Sequence, residues 1–338
     1  GYTTSDNITR ATLNPIEEDV ASAGMTLNYA DTTRRVDVDI RADVNYLDYL
    51  EDTFDSEWVG GFAGVVDFTF VEERVFWTIQ NNWGQQQLDP LAAPNPSNRS
   101  NINVFTTGPR IQTRFADRNL IGVEATYSTV TYEEQDFDNK RKSARVFYGR
   151  DLNAMSQWTL NYAERQVEFD DLALERDYDV SEAFLQYRRG DDRNLLRVDV
   201  GYTDLTIRDE EADGYLLRLE WTRRMTPFSN FFVRAGSEFS SQGDFFRFIQ
   251  DDEGVGDTVD IVGFTEPYKG NYTDLRYSIN QEKTQFNVTG SWFEARYDAP
   301  LGPDQVITGI GVDLTRFFTR SFYGRIDARL RDRDFSID

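Results

Sequence analysis

Apolar and polar positions alternate along this chain with a period of two. Over residues 35–46 one row reads Val36, Val38, Ile40, Ala42, Val44, Tyr46, and the row between reads Arg35, Asp37, Asp39, Arg41, Asp43, Asn45. Successive side chains of a strand point to opposite faces, so this segment has one apolar and one charged face. The split returns as Leu196, Val198, Val200, Tyr202 against Arg197, Asp199, Gly201, Thr203. It returns again as Tyr215, Leu217, Leu219, Trp221 against Leu216, Arg218, Glu220, Thr222. Near the end Phe322, Gly324, Ile326, Ala328, Leu330 oppose Tyr323, Arg325, Asp327, Arg329, Arg331. Helical spacing accounts for none of these rows.

The alternating segments run for roughly 10–15 residues, where strands of globular proteins average about 5–6. A tilted strand of about 9–11 residues crosses a bilayer core. Short polar turns fall near 31–33, 72–73, 117–119, 153–154, 190–193, 226–229, 282–283 and 319–320. Longer polar links lie between them, near 12–18, 51–56, 84–101, 134–141, 170–177, 209–213, 242–266 and 299–304. Short turns alternating with longer links are the habit of outer-membrane barrels. The pattern therefore predicts an all-β protein, a single transmembrane antiparallel up-and-down β-barrel of about 16–18 strands over residues 1–338. Roughly 17 strands are countable, the first at the opening GYTTSDNITRA, expected as a membrane-crossing strand. Bacterial single-chain barrels have even strand numbers, so the count favours 18, with the last strand beyond Asp338. The alternatives are 16 strands, or an opening stretch that is not a strand. A secreted or periplasmic β-sandwich or solenoid is the competing architecture, and it rarely needs so many strands of this length.

Composition changes the picture in three ways. Of the 338 residues 39% are apolar and 14% aromatic, so Tyr and Phe carry much of the apolar load. The 36 basic against 59 acidic residues leave a net charge of −23, which argues against a nucleic-acid partner. The chain has no Cys and no His, so it builds neither a thiol or imidazole nucleophile nor a Cys/His zinc site. No run of about 18 apolar residues is present, so no helix is expected to cross a membrane. The opening lacks a basic and apolar leader, as expected of an exported protein after its signal peptide is removed.

A barrel of this size encloses an aqueous lumen, whereas eight strands are filled by their own side chains. The charged rows then give candidate lumen-lining residues Arg35, Asp37, Asp39, Arg41, Asp43, Arg197, Asp199, Arg218, Glu220, Arg325, Asp327 and Arg329. The apolar rows give candidate lipid-facing residues Val36, Val38, Ile40, Val198, Val200, Tyr202, Leu217, Leu219, Trp221 and Ile326. The lumen charges serve either as a mesh of wall ion pairs or as a pathway that hydrates and guides a polar solute. Residues 84–101, with three prolines, are a candidate inward-folding constriction or mouth cover. The acidic stretch around Asp251, Asp252, Glu253 and Asp257 has carboxylates suited to calcium, without the spacing of an EF-hand. A solvated loop is the simpler reading, and no metal or cofactor is expected. Phe245, Phe246, Phe248, Trp77 and Trp83 fit interface girdles, or sugar-stacking surfaces. Carboxylate pairs such as Asp170 with Asp171 and Glu210 with Glu211 arise readily among so many acids, so no enzymatic activity is expected.

The opening residues carry a resemblance. Tyr2, then Asp6, Asn7, Ile8, Thr9, Arg10 and Ala11, then Pro15, Glu17, Glu18 and Asp19, leads into Ser22, Ala23, Gly24, Met25, Thr26, Leu27, Asn28 and Tyr29. This resembles the start of the β-barrel porin 2 family of Gram-negative outer-membrane barrels, some associated with exosortase and exopolysaccharide gene clusters. The resemblance implies an outer-membrane channel that assists export of a surface polysaccharide, among outer-membrane lipids and lipopolysaccharide, with a periplasmic export protein as partner. The residues themselves leave open a general diffusion porin for small polar solutes, or a structural barrel that anchors a surface assembly.

Overall fold

The computed structural model describes residues 1–9, 15–87, 96–134, 136–170, 177–207, 210–241, 267–297, 304–319 and 322–336. Seventeen strands are present among them. They are β1 (Tyr2–Ser5), β2 (Glu18–Thr32), β3 (Val36–Tyr49), β4 (Glu57–Val71), β5 (Val75–Gln87), β6 (Arg99–Phe115), β7 (Asn119–Tyr132), β8 (Asn139–Asn153) and β9 (Ser156–Phe169). The second half comprises β10 (Tyr178–Gly190), β11 (Asn194–Ile207), β12 (Glu210–Thr226), β13 (Ser229–Ser240), β14 (Tyr268–Gln281), β15 (Thr284–Arg296), β16 (Asp304–Phe317) and β17 (Tyr323–Ser336). Each strand pairs antiparallel with its neighbour in sequence, from β1 on β2 through to β16 on β17, within one up-and-down sheet. A 3-10 turn, Pro96–Asn98, precedes β6.

Seven of the eight short turns lie wholly within the described residues and fall where the polar spacing places them, between strands separated by two or three residues. At the 116–118 turn Ala116 and Asp117 both take left-handed backbone (φ 48° and 60°), which suits the sharp reversal of a hairpin. At the 190–194 turn the Asp191 carboxylate accepts the backbone N–H groups of Arg193 (2.9 Å) and Asn194 (2.8 Å). Two neighbouring turns are braced by an ion pair between Arg34 and Glu72.

The opening stretch departs from its expected role. β1 is four residues long and lies only on the long-link end of β2, from Tyr2↔Ala21 to Ser5↔Glu18. It does not cross a membrane. Its residues end the strand themselves: Asn7 N–H donates to Ser5 Oγ (3.3 Å), and the chain folds back until Ile8 N–H meets the Ile16 carbonyl (3.0 Å). β2 is exposed over residues 23–32, where β1 no longer covers it, and β17 is exposed over residues 323–332.

Outward rows are apolar and studded with aromatic pairs. Toward the short turns lie Tyr148 with Trp158 (ring centroids 5.4 Å apart) and Trp221 with Phe231 (5.9 Å). Toward the long links lie Tyr46 with Trp58 (5.1 Å) and Tyr202 with Tyr215 (6.3 Å). Aromatic belts at both ends of an apolar band are how a barrel meets the two membrane interfaces.

Candidate functional site

The inward faces of β2 to β15 enclose a cavity of about 920 Å³. On several strands alternation fixes which residues reach it: Thr78 and Gln80 on β5, Glu124 and Thr126 on β7, Ser143 and Arg145 on β8, two apart in each case. Among the described lining residues there are seven arginines and six carboxylates. That balance is the reverse of the whole chain, in which acids greatly outnumber bases. The signs are also segregated. Asp37 and Asp67 lie on the β3–β4 wall, while Arg110, Arg145, Arg165, Arg188 and Arg197 come from β6, β8, β9, β10 and β11.

One arginine is tightly bracketed. Arg218 on β12 donates to Glu182 of β10 (2.8 Å) and to Glu238 of β13 (2.6 Å). Tyr272 of β14 donates its hydroxyl to the other oxygen of Glu238 (2.8 Å), and the guanidinium stands 5.7 Å from the centre of the Phe184 ring. Four strands are thus tied by charge-assisted bonds that run across the lumen face rather than along the sheet. Nearby, Arg145 donates to Glu124 (2.7 Å), and Arg197 to the fully buried Asp199 (2.9 Å), which also accepts from Gln186 (2.9 Å). Arg110 lies 4.6 Å from the centre of the Phe76 ring. It follows Gly108 and Pro109, where the β6–β7 register skips from Thr107 to Arg110. Proline has no N–H to offer that register, and a side chain at Gly108 would meet the Ala125 carbonyl at 1.9 Å.

Of the residues expected in the lumen, Asp37, Arg197, Arg218 and Glu220 line this cavity. Arg35 stands in the turn before β3. Asp39 pairs with Arg41 (3.3 Å), and Asp43 accepts from Asn45 (3.1 Å). Arg325 pairs with Asp313 (2.7 Å), and Arg329 lies 3.7 Å from Asp327. Of the residues expected to face lipid, Val200, Tyr202, Leu217 and Ile326 are exposed. Val38, Ile40, Val198 and Trp221 are half-buried, as are Val36 and Leu219, which also border the cavity. Trp77 and Trp83 share the outward face of β5, and Trp77 donates to Thr107 (2.8 Å). The acidic stretch with Asp251, Asp252, Glu253 and Asp257, and the Phe245, Phe246 and Phe248 cluster, lie outside the described residues.

The sequence reading missed Arg110, Glu124, Arg145, Arg188, Glu238 and Tyr272. The same alternation holds them, but Arg188 has Arg189 beside it and Tyr272 reads as an apolar position. It also missed three buried apolar clusters at the long-link ends. One joins Ile102, Val104, Val130 and Tyr132. A second joins Val167, Phe169, Tyr178, Val180, Leu205 and Phe239. The third joins Tyr268, Phe293, Ala295, Tyr297 and Ile307. Val167 and Phe169 continue the inward row of Ala163 and Arg165, so this apolar surface belongs to the interior.

No family model matches the chain, and no curated protein does. Several solved structures resemble it at low identity. The FrpB iron transporter from Neisseria meningitidis (F3-3 variant) aligns with a TM-score of 0.47 and 8% identity, over 94% of this chain and 60% of its own. Pseudomonas aeruginosa OccK2 (OpdF), in complex with glucuronate, aligns at 0.42 and 12%, over 95% and 88%. The siderophore receptor PiuA from Acinetobacter baumannii aligns at 0.39 and 10%, over 99% and 63%. The chain spans about 60% of the length of the FrpB chains it matches. These are likenesses of shape, and the functional reading rests on the chain's own residues.

Proposed function

We propose that this protein is a bacterial outer-membrane channel whose charged lumen carries polar solutes, and that it assists export of a surface polysaccharide. The observation that carries the channel is the polar, charge-lined cavity inside a belt of outward apolar and aromatic rows. A water-filled lumen accommodates charged walls, and an apolar band with aromatic girdles accommodates lipid and lipopolysaccharide. The polysaccharide, and a periplasmic export protein as partner, follow from the resemblance of the opening residues Tyr2 to Tyr29 to the β-barrel porin 2 family. No catalytic role is assigned to any residue, and the net charge of −23 speaks against nucleic acid.

The test is single-channel recording from the refolded protein in planar lipid bilayers. Discrete conductance steps are expected. A barrel that stays silent at every voltage overturns the channel. Deleting the gene separates the finer readings: loss of surface polysaccharide supports export, whereas intact polysaccharide with slowed uptake of small solutes makes the protein a general diffusion porin. The three buried apolar clusters at the long-link end favour a second reading, a barrel closed there that anchors a surface assembly.

A further inference from the structure

We infer that the lumen wall built by β6, β8, β10 and β11 is an oxyanion site, where Arg110, Arg145, Arg188 and Arg197 receive a carboxylate or phosphate group of a polar solute. This deepens the channel reading and rests on it.

The cation excess is local. Arg188 and Arg197 are direct partners in the antiparallel register of β10 and β11, so two like charges face each other on the lumen side. Such a pair destabilises a sheet unless something lies between its members. The two acids that pair with these arginines, Asp199 and Glu124, are already engaged, and Glu220, opposite Arg197 in the β11–β12 register, is the other acid of this wall. Arg197 holds Asp199 (2.9 Å), which also takes the Gln186 amide (2.9 Å). Glu124 is the register neighbour of both Arg110 and Arg145, and its carboxylate goes to Arg145 (2.7 Å). Arg110 is left stacked on Phe76, with its Nε buried and without a hydrogen-bond partner. Among the described residues the Arg188 side chain has no ion pair or hydrogen bond, and the residue is exposed where it lines the cavity. Arg110, Arg145, Arg188 and Arg197, on four strands, line the same cavity.

Arg218 shows what a merely structural arginine looks like in this lumen: it is bracketed by two carboxylates, and one of these is further held by Tyr272. The β6–β11 wall is instead left short of anions. A guanidinium presents a planar fork of donors that matches the paired oxygens of a carboxylate or phosphate. An exposed guanidinium among three others is thus a receptor for the group that the protein does not itself provide.

The test uses the refolded full chain with three probes of similar size: galacturonate, glucose 6-phosphate and neutral glucose. Binding is followed by isothermal titration calorimetry in detergent, and block of ion current is followed in planar bilayers. Galacturonate, glucose 6-phosphate or both are expected to bind and to reduce the current at concentrations where glucose does neither, and the difference between the two identifies the preferred oxyanion. Combining Arg110→Gln with Arg188→Gln is expected to weaken that binding at least tenfold. Arg34→Gln, in an exposed turn, is expected to leave it unchanged. Arg188→Lys keeps the charge and removes the fork, so it is expected to weaken binding even where the double variant does not refold. Equal behaviour of glucose and the two anions overturns the site, as does binding that neither Arg188 variant reduces. Anion binding by a barrel that never conducts sinks the channel reading and leaves the site standing. Conductance without anion binding does the opposite.

Discussion

Gly60 sits in β4 with a φ of +121°, a backbone that side chains rarely adopt. A Cβ there would lie 1.9 Å from the Asp43 carbonyl oxygen, while the Gly60 N–H donates to Gln85 Oε1 (2.7 Å). Gly60→Ala is therefore expected to cost about 2–3 kcal/mol, from backbone strain and steric clash together. Urea unfolding of the refolded barrel in lipid vesicles measures it, and an unchanged midpoint would refute the assignment. Asp191 supports a prediction about pH. The backbone N–H of Arg193, then the side chain and backbone of Asn194, hold its carboxyl below the usual aspartate range. A depressed folded-state pKa means that the carboxylate stabilises the turn above the ordinary aspartate pKa and loses that effect as pH falls through the depressed value. Protection of the Arg193 and Asn194 amides, measured against their intrinsic exchange rates, should fall only under such acid, and Asp191→Ala should lower it at all pH values.

Strands act as two-faced elements, and in a barrel that spans a membrane, as proposed, their outward faces meet lipid. On three adjacent strands Leu185, Val200 and Leu217 form an exposed apolar band at mid-height. Where a polar group does face outward it brings its partner: Asn81 donates to Asn103 (2.8 Å) across the β5–β6 pair. Trp77 and Trp83, six residues apart on one face of β5, are separated by about 20 Å at the usual strand rise. That separation matches the two margins of a membrane-facing band. Val200→Arg, in mid-band, is expected to destabilise the barrel by about 2–4 kcal/mol, and Tyr215→Arg, near the margin, by about 0–1 kcal/mol. Equal costs in vesicle unfolding experiments would show that β11 and β12 do not span a bilayer.

Across the whole molecule the interior is divided along its length. Charged groups line the cavity, and apolar side chains fill the long-link end. Phe169 and Tyr178 pack there with their ring centroids 6.4 Å apart. Phe169→Ala is expected to cost about 3–5 kcal/mol, as a buried aromatic removed from a packed cluster does. If that cluster narrows the pathway, the same variant conducts more than the parent protein in planar bilayers. Unchanged conductance would place the narrowest point elsewhere.

Much of this was legible in the order of residues. Rows such as Val198, Val200, Tyr202 against Arg197, Asp199, Gly201 decide strand, face and register parity, because a pleated backbone sends alternate side chains to opposite sides. Turn positions were legible too, since short polar breaks between long strands leave the chain no other way to reverse. The opening stretch was legible only as strand-like. Its length and place on β2 depended on local bonds from Ser5 and Ile8 that composition does not reveal. Apolar character could not say which face of Val167, Phe169 or Leu205 looks inward, because both lipid and a packed interior accept an apolar side chain. Nor could sequence tell which of many charges lack a counter-charge. Arg188 and Arg218 are alike in the alternating pattern. Only the curvature and register of the sheet bring Glu182 and Glu238 to Arg218, and set Arg188 against Arg197 instead.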